Sequence, residues 1–428
     1  MDVQPFSLGA TCALCDNGEK IQRKLRSVST PVRYPTASLK PYRAENLANG
    51  HLWIFSGALQ QPPHWIESGG LVDVKSATGQ FVARGYYNPR TDIAIRILTR
   101  DREEEIDLAF LRRRVRQALE LREVFDPEVT NAYRLVNAEG DGLPGLVVDR
   151  YAEVLVVQIH TAGMERLQPL LIDALLSEMR TRGVLLRNDG QARQREGLAV
   201  EEPVVAAGAV PTRVTVRENN VLFEVDPWEG QKTGFFLDQR DKREALRKYT
   251  RAKRVLNCFS YTGGFSVYAA LSSSETRVVS VDISAPAIEA ARAHFVLNGL
   301  DPNQHEFHIA NVFEYLEEAR QHGEQFDVVV LDPPAFAKTQ GARTQALKAY
   351  RRLNLLGMEV LRPGGILLSC SCSGVVGMDD LLGVLAQSAQ RLQRSVQLLE
   401  VYSHGVDHPI HLAMPETAYL KAIFCRVQ

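Results

Sequence analysis

The sequence predicts an α/β protein in three parts: a β-rich N-terminal domain, a central α+β domain, and a C-terminal Rossmann-like domain with a mostly parallel sheet. Three observations predict it. From about residue 250 short apolar runs alternate with helical stretches, the pattern of a parallel sheet covered on both faces. Between residues 37 and 112 short runs of alternating polarity are separated by turn signals. Between 130 and 225 further strand-like runs flank one long helical stretch. A chain of 428 residues exceeds what a single core holds and fits two or three domains.

The elements follow in order. Residues 1–36 are polar and aperiodic, and a flexible tail is expected there. Its Cys12 and Cys15 form a C-x-x-C with no second pair or histidine cluster at zinc spacing, so no metal site is expected. In the N-terminal part, Leu71–Val74, Phe81–Ala83 and Ile93–Leu98 read as strands, with Gly79-Gln80 and Asn88-Pro89 as turns. "DREEEIDLAFLRRRVRQALELREVF" reads as a helix, acidic in its first turn and basic later, in keeping with the helix dipole. Arg112–Arg114 on it could touch phosphate, although a solvated helix face is the ordinary role of such a run. In the centre, "LPGLVVDR", "EVLVVQIH", "GVLLRND" and "NNVLFEVD" read as strands and "GMERLQPLLIDALLSEMRTR" as a helix. The C-terminal block alternates "RVLNCFS", "RVVSVDIS", "HEFHIANV", "FDVVVLDPP" and "ILLSCSCSG" with four helices. The domains expected are 37–112, 113–225 and 226–428.

Composition sets limits. Apolar content of 45% and charged content of 24% are ordinary for a globular protein. Fifty basic against 51 acidic residues leave the net charge silent about nucleic acid, so only a local patch could speak for it. No apolar run reaches membrane-spanning length, and "MDVQPFSLGATCALCDNGEK" is not a secretory signal. Six scattered cysteines make no disulfide framework, and a cytoplasmic location is expected.

Ligands of an open parallel sheet bind outside the carboxyl ends of its strands. Four such ends carry chemistry here. "NCFSYTGGF" offers Gly263 and Gly264, which let backbone approach a ligand, although the strict dinucleotide fingerprint is absent. Asp282, ending the next strand, can accept two ribose hydroxyls; Ser284 is the better cap for the helix that follows. Asp332 is held at a strand exit by Pro333 and Pro334, which end the ladder. Cys370 and Cys372 share one face of the last strand. Cys370 lies deeper and reads as core, whereas Cys372 at the exit, near Asp332, has the makings of a nucleophile with an acid partner.

Taken together, "VLNCFSYTGGF", "VVSVDIS", "LDPPAF", "SCSCSG", "DHPIHLAMPETAYLK" and "GQKTGFFLDQRDKR" resemble the bacterial 23S ribosomal RNA cytosine-C5 methyltransferases of the ribosomal RNA large subunit methyltransferase I type, from about residue 37 to the C-terminus. The resemblance implies an N-terminal RNA-binding PUA β-barrel, a central linking domain and a class I S-adenosylmethionine-dependent methyltransferase domain. It implies a cofactor site of Phe259, Tyr261, Thr262, Gly263, Gly264, Phe265, Asp282, Ile283, Asn311, Val312, Asp332 and Gln239. Asp282 would hold the ribose, and Asn311 with Val312 would lie by the adenine. Pro333, Pro334, Phe336 and Lys338 would meet the substrate, with Cys372 as nucleophile and Asp332 beside the reacting base. The implied partner is 23S ribosomal RNA, free or partly assembled, with no membrane and a homodimer as an open expectation. Ala335 departs from the family, which commonly has a lysine there. Two rival readings stay open. An N-methyltransferase acting on an RNA purine would need no cysteine, and its stacking aromatic is displaced by one place to Phe336. A non-catalytic ribosome-assembly factor would leave the cofactor loop and strand-end residues without a purpose.

Overall fold

The structure is a computed structural model. It describes residues 33–428 apart from 44, 62–64, 338 and the side chains of 45 and 46. Cys12, Cys15, Lys338 and nearly all of the expected tail therefore lie outside the described residues.

The N-terminal unit is a five-stranded sheet of β1 (Thr36–Ser38), β2 (Trp53–Phe55), β3 (Leu71–Lys75), β4 (Phe81–Tyr87) and β5 (Ile93–Thr99), in the order β1-β3-β4-β5-β2. A bridge between Leu39 and Leu59 brings its two edges together, which curls the sheet toward a barrel and removes exposed edges. The sheet already includes Thr36, ahead of the expected start at 37. Helix α1 (Leu108–Arg122) spans the expected boundary at 112/113. It begins after the acidic run: Asp107 is the N-cap, accepting from the Phe110 amide at 2.8 Å, so the expected acidic first turn precedes the helix. Its arginines are engaged within the chain. Arg112 pairs with Glu178, Arg113 with Glu104, and Arg114 donates to the Leu98 carbonyl.

The central sheet comprises β6 (Ala132–Asn137), β7 (Leu146–Tyr151), β8 (Val154–Ile159), β9 (Gly183–Leu186) and β10 (Val204–Gly208), with helix α2 (Ala162–Glu178) between β8 and β9. Alpha-helices α1 and α2 and the sheet share one buried core. A hairpin, β11 (Val214–Glu218) and β12 (Val221–Val225), then leads into α3 (Arg240–Thr250).

The C-terminal sheet has seven strands: β13 (Arg254–Cys258), β14 (Arg277–Asp282), β15 (Glu306–Ile309), β16 (Phe326–Leu331), β17 (Leu361–Ser371), β18 (Val396–Tyr402) and β19 (Lys421–Val427). Their order is β15-β14-β13-β16-β17-β19-β18, parallel through β17 and antiparallel at β19 and β18. Helices α4 (Gly264–Ala270), α5 (Ala285–Leu297), α6 (Val312–Gln321), α7 (Arg343–Glu359) and α8 (Met378–Arg391) cover it. Two large cores bury its faces, and the hairpin strands and Tyr151 of the central sheet complete one of them. The strand order reverses between β13 and β16, so their carboxyl ends diverge into a crevice.

Residues 403–420, between β18 and β19, form a strap that touches all three units. Asp407 takes a bidentate ion pair from Arg240 (2.5 and 3.1 Å) and the backbone amide of Arg134 at 3.0 Å. Further along, Met414 is fully buried in the core of the N-terminal sheet, where its sulfur accepts from the Leu52 amide.

Candidate active site

The crevice holds a cavity of about 500 Å³ lined from four strand ends and from the segment 231–239. It brings together Phe259, Tyr261, Thr262, Gly264, Phe265, Asp282, Ile283, Gln239, Asp332, Pro333, Pro334 and Cys372 of the expected site. It does not bring in Gly263, Asn311, Val312 or Phe336. Asn311 caps α6 through a 2.9 Å bond from the Phe313 amide, and Val312 is buried core. Phe336 packs on Tyr350 at 4.7 Å between ring centres, away from the cavity lining. Gly263 serves packing: with φ at +78°, an added Cβ would lie 2.8 Å from Ala291 of α5. The glycine is thus required by the loop's turn and by helix contact.

After β13 the loop winds through left-handed φ at Phe259 (58°), Tyr261 (46°) and Gly263 (78°). Two non-glycine residues there carry strain that the surroundings must hold. Asp282 does part of that: its Oδ2 accepts from the Tyr261 amide at 2.8 Å and its Oδ1 from the Ser284 amide at 2.9 Å. The carboxylate is thereby fixed at the cavity wall. Ser284 caps α5 as expected.

Cys372 lies one residue past β17, half-buried, with Sγ 4.0 Å from the Pro333 carbonyl. Cys370 is completely buried. Burial, then the neighbouring Asp332 charge, pushes both thiols up, Cys370 further. Asp332 accepts from Gln239 Nε2 at 2.9 Å. Burial, reinforced by Asp238, raises its carboxyl to about 6, so near neutrality a share of it carries a proton. Asp238 behaves oppositely. Burial works against its charge, but Lys232 and His408 outweigh it and hold this carboxyl well below the usual range. Its Oδ2 accepts from Lys232 Nζ at 2.7 Å and from the Tyr419 hydroxyl at 2.8 Å. Lys421, at the start of β19, donates to the carbonyls of Ser373 and Tyr419 and so fixes the turn that carries Cys372.

Sequence reasoning passed over Lys232, Asp238, Ser260, Tyr419 and Lys421. Four of them lie in the two quoted stretches "GQKTGFFLDQRDKR" and "DHPIHLAMPETAYLK", which have no strand-helix pattern to place them. The central domain positions the first stretch. Thr233 Oγ1 donates to Asp149 at 2.5 Å, the Phe235 amide donates to the Tyr151 hydroxyl at 3.1 Å, and Arg187 Nη1 donates to the Gly230 carbonyl at 2.8 Å. A buried bidentate pair of Arg243 with Glu218 (2.7 Å twice) ties α3 to the hairpin behind the cavity.

The seven-stranded sheet, with its cavity at the reversal of strand order and an acidic residue ending the second strand, defines a class I S-adenosylmethionine-dependent methyltransferase. A family model for S-adenosylmethionine-dependent methyltransferases matches residues 190–424, and one for PUA-like domains matches 38–100. The chain is 39% identical over 400 residues to the ribosomal RNA large subunit methyltransferase I of Salmonella paratyphi B and to that of Salmonella typhimurium, covering 93% of this chain and 99% of each relative. It belongs to the ribosomal RNA large subunit methyltransferase I family. Among solved structures, SMU.776 complexed with SAH superposes with a TM-score of 0.80 at 22% identity, covering 92% of this chain and all of the other. A second structure, from Streptococcus mutans, gives 0.78 at 21%, with the same coverage of both chains. Both share the fold.

The cavity suits S-adenosylmethionine. The fixed Asp282 carboxylate can take ribose hydroxyls, the neighbouring Ile283 offers an exposed apolar surface for a base, and the buried Ser260 Oγ on the wall has no partner among the described residues.

Proposed function

We propose that this enzyme methylates C5 of a cytosine in 23S ribosomal RNA through a covalent adduct between Cys372 and C6 of the base. The observation that carries the reading is the half-buried Cys372 thiol lining the same cavity as Asp332 and Asp282. The ribosomal RNA substrate follows the relatives' names and the PUA-like domain.

Cytosine C5 is too weak a nucleophile to attack a sulfonium methyl group unaided. Cys372 as thiolate forms the Sγ–C6 bond, and the C5=C6 π pair becomes available at C5. Asp332 in its protonated form donates to N3 and stabilises that enamine. S-adenosylmethionine bound beside it supplies an electrophilic methyl group. Loss of the C5 proton to a base then restores the C5=C6 bond as the Sγ–C6 bond breaks, returning the thiolate. For Cys372 to reach C6, the base must leave its stack or come from single-stranded RNA.

The purine N-methyltransferase reading is disfavoured by Phe336, which packs on Tyr350 and is not among the residues lining the cavity. The test is a trap. RNA with 5-fluorocytidine at the target should become covalently bound at Cys372, because fluorine at C5 blocks the final proton loss. An adduct at Cys370, or cytosine C5 methylation by Cys372→Ala, would overturn the assignment. Mass mapping of 23S RNA from cells with and without the protein identifies the nucleotide.

A further inference from the structure

We propose that Lys232, clamped by the buried Asp238, is the cation that stabilises the Cys372 thiolate; this rests on reading Cys372 as the nucleophile. The need is physical. The thiol is half-buried and lies near Asp332 and Asp238, and all three influences oppose its ionisation, whereas a nucleophilic cysteine requires an electropositive surrounding.

The charged and titratable groups around Cys372 can be taken element by element. Asp332 comes from the end of β16, Tyr350 from α7, Cys370 from the same strand, Lys421 from β19, and Lys232 and Asp238 from the segment before α3. Among the described residues, Lys232 and Arg243 are the cations on the cavity wall. Arg243 is committed to Glu218 and the Phe236 carbonyl. Lys421 gives two of its three donors to carbonyls and does not line the cavity. Lys242 is buried and donates to the Asp238 carbonyl. Lys232 gives one hydrogen bond, to Asp238 Oδ2, and leaves two N–H donors for the cavity. Its ammonium also lies 4.4 Å from the centre of the Phe236 ring, which fixes its direction.

The backbone supports a placed charge. Lys232 has a left-handed φ of 57°, an uncommon conformation for a residue with a side chain. Contacts on both sides hold it there: the Gln231 amide donates to the Tyr261 hydroxyl at 2.9 Å, and Thr233 is locked to Asp149. Asp238 is in turn held by Tyr419 from the strap. The lysine thus sits on a rigid mount beside the cofactor loop, lining the same cavity as Cys372. On ionisation the S–H bond breaks, the electron pair stays on Sγ in the cavity that the ammonium also lines, and the proton leaves to water through the cavity mouth.

The test needs neither RNA nor methyl transfer, so it is independent of the target base. The rate of iodoacetamide alkylation at Cys372, identified by peptide mass, is followed against pH in the full-length protein. Lys232→Met should move the midpoint up by about one unit, slowing alkylation about tenfold at neutral pH. The limiting rate at high pH should be unchanged, and Lys232→Arg should restore most of the neutral rate. An unmoved midpoint in Lys232→Met, or a lowered limiting rate with the midpoint in place, would overturn the proposal, the second outcome marking a role in shape alone. If Lys232→Met does not fold, the Arg variant against Lys232→Gln carries the same comparison.

Discussion

At the scale of single residues, the two cysteines divide the labour that their shared strand face leaves open. Cys372→Ala should abolish methyl transfer while circular dichroism and cofactor affinity stay at the parent's values. Cys370→Ala should keep activity and cost roughly 1 kcal/mol of stability for lost packing, read by urea denaturation. Asp282→Ala should weaken S-adenosylmethionine binding by about 1.5–3 kcal/mol in calorimetry, the scale of hydrogen bonds to a charged group. Asp332 gives a stability prediction with a definite sign. Its folded carboxyl titrates at about 6, above the ordinary 3.8 of the unfolded chain, so the folded state holds the proton more tightly. The stabilisation from that proton is complete below about pH 4 and is lost as pH rises through 6. Asp332→Asn escapes the loss. Measured against the parent, it should gain stability between pH 4 and 7, by at most about 3 kcal/mol and by less where cavity water reaches the carboxylate. A constant difference across that range would contradict the placement of Asp332. Cys372, Asp332 and Asp282 were legible in the sequence because each ends a strand whose pattern is plain. Lys232 and Asp238 were not, because the turn that carries them is shaped by Asp149, Tyr151 and Arg187, residues at least 40 positions away.

At the scale of elements, four parallel strands of the C-terminal sheet, β13, β14, β16 and β17, could be read because they are largely buried and their runs are apolar, whereas β15, at the edge and without a buried residue, could be placed by the alternation with helices. Strand β18 could not: its Leu398, Leu399 and Val401 are exposed and Glu400 interrupts them, so neither alternation nor a buried run appears. The stretch "DHPIHLAMPETAYLK" resembled a family signature, but its physical task is visible only in three dimensions. It places Asp407 under Arg240, Met414 in the N-terminal core and Tyr419 on Asp238. Met414→Ala should cost about 2–4 kcal/mol through the cavity it leaves, seen as a loss of hydrogen-exchange protection in β2, where the Leu52 amide lies close by. Removing one member of the buried pair, as in Glu218→Gln, should cost about 3–5 kcal/mol because Arg243 keeps its charge without its partner. Thermal denaturation reads both.

At the scale of the whole molecule, the near balance of charge says nothing about RNA, and binding must come from local surfaces. Deleting the PUA-like domain, residues 38–100, should weaken RNA binding and steepen no salt dependence, whereas the intact protein should lose affinity as salt rises because phosphate contacts release counterions. Equal affinity of the two proteins in filter binding would place the RNA contacts elsewhere. The three-part organisation was legible from changes of period alone. The boundaries were less so, because α1 lies across one of them and packs with the central core. Met414 has one more consequence, in time rather than in space. The N-terminal sheet leaves the ribosome first, yet one of its core positions is filled by residue 414 of a 428-residue chain. During synthesis that sheet must wait, with a hole in its interior, until residue 414 has emerged. A nascent chain stalled at residue 405 should therefore be cut by protease within β2 far faster than one stalled late enough for residue 414 to have emerged from the exit tunnel.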